Sequence, residues 1–229
     1  MSAAPLLQID QLKFGWQPNL PLIDIETLRL DAGERLFLYG SSGSGKTTLL
    51  SLLGGVTLPH SGTITLLNTT LTALSRAKRD RVRADHIGFI FQQFNLIPYL
   101  SVIENILLPL TFSPLRRQRL QQSPQQEAER LLHELDIAPT LWSRAVVDLS
   151  VGQQQRVATA RALIGHPELI IADEPTSALD SDRRHAFIEL LLQECQQQST
   201  SLIFVSHDAT LQNHFHRIVP LAEINRCHS

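Results

Sequence analysis

The distribution of apolar residues along the chain predicts short buried strands alternating with helices. Between Leu6 and Leu30, two runs (LLQIDQLKF and LPLIDIETLRL) flank a turn region at Pro18 to Pro21, a pattern typical of antiparallel strands. Arg35 to Tyr39 and Leu169 to Ala172 are short and largely apolar, as buried strands are. Further strands are predicted at Ser61 to Leu67, His86 to Phe91 and Leu202 to Val205. The pattern favours the α/β class.

Capping residues mark the starts of several helices. In a capping box, a serine and a glutamate or glutamine three residues later satisfy each other's backbone N–H groups. The start signals are Ser101 with Glu104, Ser150 with Gln153, and Ser123 with Pro124 and Gln126. A long helix is also predicted from Ser181 to Gln198, and the basic stretch Arg76 to Arg83 is interpreted as a solvated helix face.

The stretch Tyr39 to Leu53, YGSSGSGKTTLLSLL, fits the phosphate-binding pattern G-x-x-x-x-G-K-[ST]. A predicted strand precedes it and a helix follows, so that backbone N–H groups converge on phosphate oxygens. Lys46 would add a charge at the β- and γ-phosphates, and Thr47 would place its hydroxyl on Mg²⁺. The residues predicted to bind the nucleotide here are Gly40, Ser41, Ser42, Gly43, Ser44, Gly45, Lys46, Thr47 and Thr48. The alternative is a Ser/Gly surface turn before an amphipathic helix.

Polar residues follow three of the predicted buried strands. Asp173 and Glu174 come at the carboxyl end of one, where open α/β sheets bind ligands, and two carboxylates there are costly without a metal or a proton to handle. Asp173 is therefore a candidate Mg²⁺ ligand and Glu174 a candidate base for water, against the alternative of an acidic turn. Gln92 could reach a metal or a water, or be a turn residue, and His207 could be structural or catalytic.

Trp16 lies between the two N-terminal strands and has two interpretations. It could pack on its own sheet, as aromatic residues commonly do. It could instead stack on a nucleotide base, because it lies some two dozen residues before the phosphate loop. The residues alone leave both open.

Composition and charge limit the classes of partner. At 229 residues and 43% hydrophobic content, the chain can bury a sizeable core. Its formal net charge is -2 and it has no long lysine/arginine block, so nucleic acid is not an expected partner. Two cysteines, Cys195 and Cys227, suit a reducing cytosol better than a disulfide framework or a zinc site.

No stretch of the sequence predicts a membrane span or a signal peptide. The N-terminus lacks a basic region followed by an apolar one. The most apolar stretch, Ile87 to Ile103, is interrupted by Gln92, Gln93, Asn95 and Pro98. If the protein acts at a membrane, we expect another chain to span it.

Together these motifs resemble an ABC transporter ATPase, the nucleotide-binding subunit, over nearly the whole chain. Their order along the chain matches the family. Residues 40–47 resemble the Walker A loop, Gln92 the Q-loop glutamine, and residues 149–153 (LSVGQ) the signature. Residues 169–174 resemble Walker B, residues 177–180 the D-loop, His207 the switch histidine, and Trp16 the aromatic residue that stacks on adenine. One departure is Val151, since the family pattern is LSGGQ.

The resemblance implies a fold and a site. The fold is a P-loop NTPase (RecA-like) core with a parallel sheet, an N-terminal antiparallel β-subdomain and an α-helical subdomain inserted at about residues 93–160, within one domain over residues 1–229. ATP and Mg²⁺ are the implied cofactors, with Thr47, Gln92 and Asp173 as metal ligands. Glu174 would polarise the attacking water, while His207 would hold the γ-phosphate.

The resemblance also implies partners. Two copies would form an ATP-driven homodimer in which Ser150, Gly152 and Gln153 of one chain meet the nucleotide held by the other. The branch resembled most includes lipoprotein-release, macrolide-exporter and cell-division cassettes, which implies a separate integral membrane permease and a place at the cytoplasmic face of the inner membrane. The rivals are a cassette that signals through a membrane partner without transport, and a soluble ABC ATPase.

Overall fold

The fold alternates strands and helices along the chain, as the apolar pattern predicts. The computed structural model describes residues 4–17, 20–177, 179, 181–215 and 217–228. Its strands are β1 (Leu7–Phe14), β2 (Ile23–Leu30), β3 (Arg35–Tyr39), β4 (Ser61–Leu66), β5 (Thr69–Thr70), β6 (Ile87–Ile90), β7 (Leu169–Asp173), β8 (Ser201–Ser206) and β9 (Arg217–Pro220). Its helices are α1 (Lys46–Leu53), α2 (Arg76–His86), α3 (Val102–Phe112), α4 (Pro114–Gln118), α5 (Pro124–Glu134), α6 (Val151–Leu163), α7 (Ser181–Gln197) and α8 (Leu221–Ile224).

Among the residues described, no helix combines the length and the apolar character needed to cross a membrane. The chain divides into two compact units, one made of residues 1–83 and 201–229 and the other of residues 84–200. The first unit contains an antiparallel sheet with the strand order β2-β1-β4-β5. In it, Leu7 lies opposite Leu30 and Phe14 opposite Ile23, which confirms the predicted antiparallel pair.

A bulge in β1 explains the uneven spacing of its apolar residues. Leu7, Ile9, Leu12 and Phe14 are buried, so the apolar period slips by one residue after Ile9. The slip falls at Gln11, whose φ is 52°, and the pairing of β1 with β4 changes register between residues 10 and 13. An extra residue of this kind bends an antiparallel strand and restores the inward alternation beyond it.

Three parallel strands complete the sheet structure of the first unit. β3 pairs in parallel with β8 and with β9, so Tyr39 is aligned with Ser206 on one side and with Pro220 on the other. The three central residues of β3 are fully buried. Because parallel strands end at the same edge of a sheet, Gly40 and His207, which directly follow β3 and β8, lie at one edge.

The second unit pairs β6 with β7 in parallel, aligning Ile87 with Leu169 and Ile90 with Ala172. β6 approaches α6 closely at Gly88, where an added Cβ would lie 2.3 Å from the carbonyl oxygen of Ala162. Only glycine fits that contact. Because β6 and β7 are parallel, the segment that follows β6 and the acidic end of β7 lie at the same edge of this strand pair.

The predicted helix starts are confirmed. Ser101, Ser123 and Ser150 each accept a hydrogen bond from the backbone N–H three residues on, and the side chain at that position accepts one in return. Several predicted strand boundaries differ from the observed ones by one residue. The strand predicted from His86 to Phe91 is shorter at both ends, since His86 is the last residue of α2 and β6 spans Ile87–Ile90.

Candidate functional site

The phosphate-binding loop curls around the ammonium group of Lys46. The Lys46 Nζ donates hydrogen bonds of 2.8 Å to the carbonyl oxygens of Gly40 and Ser41, and the side chain is only 6% exposed. α1 begins at Lys46 itself, so its first-turn N–H groups point back toward the loop. A cation and a helix N-terminus together form an electropositive concavity suited to phosphate.

Two glycines make this loop sterically possible. Gly45 has a φ of 95°, a backbone conformation that residues with a side chain rarely adopt, and an added Cβ would also press on Cδ1 of Ile23 at 3.0 Å. At Gly40, an added Cβ would lie 2.8 Å from Oγ of Ser44. The loop can therefore bring its backbone close to a ligand without interference from side chains.

Two arginine side chains from α2 cap the C-terminal end of α1. The Arg79 Nε donates to the carbonyl oxygen of Gly55 at 3.3 Å, and the Arg83 Nη1 donates to that of Gly54 at 3.4 Å. Arg79 is 9% exposed, so the prediction of a solvated face is wrong at this position. Cations at a helix C-terminus complement its dipole, and these two satisfy carbonyls that the helix leaves unbonded.

Trp16 lies beside the first turn of α1. Its Nε1–H donates to Oγ1 of Thr48 at 3.3 Å, and its ring meets that of Phe14 edge-on, with centroids 5.0 Å apart and planes at 86°. The side chain is nevertheless 67% exposed. The structure thus brings two sequence-predicted residues, Trp16 and Thr48, into direct contact and leaves much of the indole accessible.

Backbone hydrogen bonds across the predicted turn region hold the segment that carries Trp16. Leu20 N donates to the carbonyl oxygen of Gln17 at 3.1 Å, and Leu22 N donates to that of Phe14 at 2.9 Å. An added Cβ at Gly15 would lie 2.3 Å from the carbonyl oxygen of Leu20, so a side chain there would force this turn apart.

His207 follows β8 at the edge where the phosphate loop follows β3. The register that aligns Tyr39 with Ser206 puts both connections at the same level of the sheet. His207 is exposed, and the backbone behind it is held by a hydrogen bond of 3.0 Å from Asp208 N to Oγ of Ser206. The first unit therefore contains the phosphate-binding loop, Trp16 and His207.

In the second unit, the acidic pair occupies the end of β7. Asp173 is the last residue of the strand and is half-buried. Glu174 follows with a φ of 44°, in the left-handed region that costs a non-glycine residue on the order of 1–3 kcal/mol. Its carbonyl oxygen accepts a hydrogen bond of 3.2 Å from Ser177 N. Strained backbone concentrates at functional sites, which makes Glu174 notable independently of any motif.

The segment that follows Gln92 is held by Arg161, a residue that belongs to none of the predicted motifs. Arg161 of α6 donates hydrogen bonds of 2.6 Å to the carbonyl oxygens of Phe94 and Asn95. Those two residues have φ values of 59° and 50°. Burial lowers the pKa of the Arg161 guanidinium, which nevertheless stays protonated at neutral pH. Gln92 itself is exposed in the turn just before this contact.

The helix that carries Arg161 begins at the LSVGQ segment. Ser150 caps α6, accepting from Gln153 N at 3.4 Å while its own N–H donates to the Gln153 side chain at 2.9 Å. Val151 is 48% exposed, so its side chain lies on the surface and leaves the cap intact. An added Cβ at Gly152 would meet Cδ2 of Leu179 only at 3.7 Å. Ala178 and Asp180, two residues of the predicted D-loop, lie outside the described residues.

Beneath this helix start lies a cavity of about 280 Å³, whose lining includes Ser150, Gly152, Gln155, Leu179 and Phe187. Gln155 is fully buried, and neither polar atom of its amide has a hydrogen-bond partner in the described part of the chain. A buried amide with no partner is uncommon and costly. Nothing in the glutamine-rich run from Gln153 to Gln155 distinguishes the buried member from its neighbours in the sequence.

A family model for ABC transporters matches residues 24–177, more than half of the chain, including the phosphate loop, the LSVGQ segment and the acidic pair. The chain belongs to the ABC transporter family. It is an ABC ATPase, and the α/β P-loop NTPase fold inferred from the motifs is confirmed.

Relatives of this ABC ATPase come from the predicted branch. It is 37% identical over 207 residues to the lipoprotein-releasing system ATP-binding protein LolD of Hydrogenovibrio crunogenus, covering 89% of this chain and 86% of LolD. It is 36% identical over 205 residues to the macrolide export ATP-binding/permease protein MacB of Rhodopirellula baltica, covering 90% of this chain. That match spans only 30% of MacB, so the chain corresponds to a part of that protein.

A solved structure shares the fold of this ABC ATPase. The ATP-binding cassette MJ0796, as a dimer in a post-hydrolysis state bound to ADP and Pi, superposes with a TM-score of 0.82 at 31% identity over 93% of both chains. ATP binding and dimer formation are thus features of a cassette very similar to this one.

Proposed function

We propose that this ABC ATPase is the motor subunit that drives a separate membrane permease, exporting or extracting a lipophilic or periplasmic substrate. The observation that carries the proposal is the 37% identity over 86% of LolD, which is named as the ATP-binding protein of a lipoprotein-releasing system. The chain would then be a peripheral subunit held at the cytoplasmic face of the inner membrane by that permease.

Capture of the membrane partner tests this proposal. Affinity purification of the tagged chain from detergent-solubilised membranes should recover an integral membrane protein in comparable amount. Reconstitution of the pair in liposomes should raise ATP hydrolysis above that of the chain alone. Recovery only with ribosomes or DNA would contradict the proposal and favour a soluble ABC ATPase.

A second candidate function follows from the same branch resemblance. A cassette that signals through its membrane partner would also be captured with an integral membrane protein and would also hydrolyse ATP. It differs in that the reconstituted pair would move no substrate. The similarity to LolD and MacB, both named for release or export, favours the transport function.

The nucleotide site is built on the phosphate loop. In our proposal, residues Gly40 to Thr48 wrap the phosphates with backbone N–H groups, and Lys46 turns its ammonium from the loop carbonyls to the β- and γ-phosphates. Trp16 offers an exposed indole for the adenine base.

Mg²⁺ is the metal that suits the candidate ligands. Thr47, Gln92 and Asp173 offer a hydroxyl, an amide and a carboxylate oxygen, and Mg²⁺ takes oxygen ligands together with substrate phosphates. When bound, it would neutralise charge on the phosphates. The chain's own contribution is to hold Asp173 in place at the end of β7.

Hydrolysis requires positioning more than covalent chemistry. Glu174 would accept a proton from the attacking water, and its constrained backbone restricts where the carboxylate can go. His207 would donate a hydrogen bond to the γ-phosphate.

The proposed working form is a homodimer. Its support is the dimeric cassette that superposes over 93% of both chains. In it, Ser150, Gly152 and Gln153 of one chain would face the nucleotide held by the other. The capped start of α6 presents N–H groups and the positive end of a helix dipole, both of which attract a γ-phosphate.

Val151→Gly tests this dimer contact. Glycine allows a closer approach of the two backbones but costs up to about 1 kcal/mol in a helix. We expect modestly stronger ATP-driven dimerisation, a Tm lower by about 2–4 °C, and unchanged ATP affinity of the monomer. Size-exclusion chromatography in the Glu174→Gln background, thermal melting and titration at low protein concentration measure the three quantities.

The control for this substitution is Val56→Gly, which makes the same chemical change at a position that is 61% exposed after α1. It should leave dimerisation unchanged. If Val151→Gly instead weakens the dimer, valine makes a favourable contact of its own across the interface.

A further inference from the structure

The indole of Trp16 is oriented by two contacts. Among the described residues, its ring meets Phe14 edge-on and its Nε1–H donates to Oγ1 of Thr48, across 32 positions of the chain. With 67% of Trp16 exposed, core packing does little to fix the ring. Removal of the hydrogen bond should therefore let the indole rotate about its side-chain torsions.

Thr48 can serve two partners at once. A hydroxyl has one proton to donate and two lone pairs to accept with, so Oγ1 can accept from the indole and still donate its proton to a ligand oxygen. Thr48 is the third residue of α1, directly after Lys46 and Thr47 at the end of the phosphate loop. Hydrogen bonds in such chains polarise one another and strengthen cooperatively.

We propose that Thr48 is a positioning residue that acts through Trp16: its hydroxyl holds the indole in the orientation that receives the base and couples base stacking to phosphate binding. This inference rests on the proposed nucleotide site. It goes beyond that site in assigning Thr48 a role toward the base as well as toward the phosphates. A pre-oriented aromatic ring binds its partner more tightly because less freedom is lost on binding.

Substitutions of Thr48 separate the two roles. Thr48→Val keeps the shape of the side chain and removes the hydroxyl, while Thr48→Ser keeps the hydroxyl. Trp16→Phe keeps an aromatic ring and removes the N–H donor. Ser51→Ala is the matched control, since Oγ of Ser51 donates to the carbonyl oxygen of Thr47 at 3.0 Å on the same helix, whereas the indole N–H of Trp16 donates to Thr48.

The first measurement follows the ring without any ligand. The chain has two tryptophans, so Trp142→Phe leaves Trp16 as the sole fluorophore. In this background, Thr48→Val should lower the fluorescence anisotropy of Trp16 and raise its quenching by acrylamide, whereas Thr48→Ser and Ser51→Ala should change neither. Unchanged anisotropy in Thr48→Val would overturn the proposal, because the hydroxyl would then not hold the ring.

The second measurement compares ATP with inorganic tripolyphosphate, which has phosphates and no base. Thr48→Val should weaken ATP binding about threefold more than tripolyphosphate binding, a ratio within the range of one neutral hydrogen bond. Thr48→Ser should restore the ratio. In the ratio of ATP binding to tripolyphosphate binding, the double variant Trp16→Phe with Thr48→Val should lose less than the product of the two single losses, because both substitutions remove the same hydrogen bond.

Equal weakening of the two ligands, or multiplicative effects in the double variant, would show that Thr48 acts on the phosphates alone and would overturn the proposal. Failure of the nucleotide site itself has a different signature. In that case Lys46→Ala would bind both ligands as well as the unmodified chain does. The proposed nucleotide site would then be rejected, together with the coupling through Thr48.

Discussion

Replacing Lys46 with alanine should weaken ATP binding by at least about tenfold, because hydrogen bonds to a charged group contribute about 1.5–3 kcal/mol. Lys46 is 6% exposed, and the loop encloses its ammonium group. Its two carbonyl partners, on Gly40 and Ser41, belong to the loop itself. The charge thus lies inside the loop that would receive the phosphates, and the substitution removes it without altering the strand before the loop.

Titration with a fluorescent ATP analogue measures this effect. Lys78→Ala is the matched control, since Lys78 is exposed on α2 and its loss changes net charge by the same amount. Thermal melting of both variants shows whether the loop keeps its fold once two carbonyls lose their donor. Undiminished affinity in a folded Lys46→Ala variant would move the phosphate site elsewhere.

Features that depend on neighbours in sequence were predictable. The capping boxes at Ser101 and Ser150 involve residues three positions apart, so a pattern of four residues specifies the contact. The strand Arg35–Tyr39 was placed correctly because a short apolar run bounded by polar residues has few alternatives. The phosphate loop combines both kinds of local signal.

Boundaries and edges that depend on distant partners were not predictable. His86 was expected to open a strand, but its Nδ1 lies 3.0 Å from Glu168 Oε2, 82 positions away, and it closes α2 instead. β9 was missed because it is only four residues long, half-buried and ended by Pro220, so only its pairing with β3 defines it. Tertiary pairing overrides weak local preference in both cases.

The same difference between local and distant contacts decides which parts of the candidate site could be predicted from the sequence. Motifs located the loop, Asp173 and Glu174, since each consists of adjacent residues. Two arginines near the site were not predicted to make long-range contacts: Arg79 reaches the end of α1 from 24 positions away, and Arg161 reaches the Gln92 segment from 66 or more. Buried arginines that bond backbone carbonyls leave no local pattern, because their partners can be any residue type.

Glu174→Gln should keep ATP binding and lower hydrolysis by about 100-fold or more, which is the lower range for loss of a general base. The amide has nearly the shape of the carboxylate, so the backbone at φ 44° and the end of β7 should be unchanged. Phosphate release measures hydrolysis, and titration with an ATP analogue measures binding. Glu189→Gln, the same chemical change at an exposed position on α7, is the control and should hydrolyse ATP normally.

Loss of the base should also change the oligomeric state. If ATP joins two chains and hydrolysis separates them, a variant that binds ATP without consuming it should accumulate as a dimer. Size-exclusion chromatography with ATP should then show a dimer in Glu174→Gln that is weak or absent in the unmodified chain, and Lys46→Ala added to the same chain should abolish it. Normal turnover in Glu174→Gln would place the base on another residue, while slow turnover without a dimer would keep the base and reject the ATP-driven assembly.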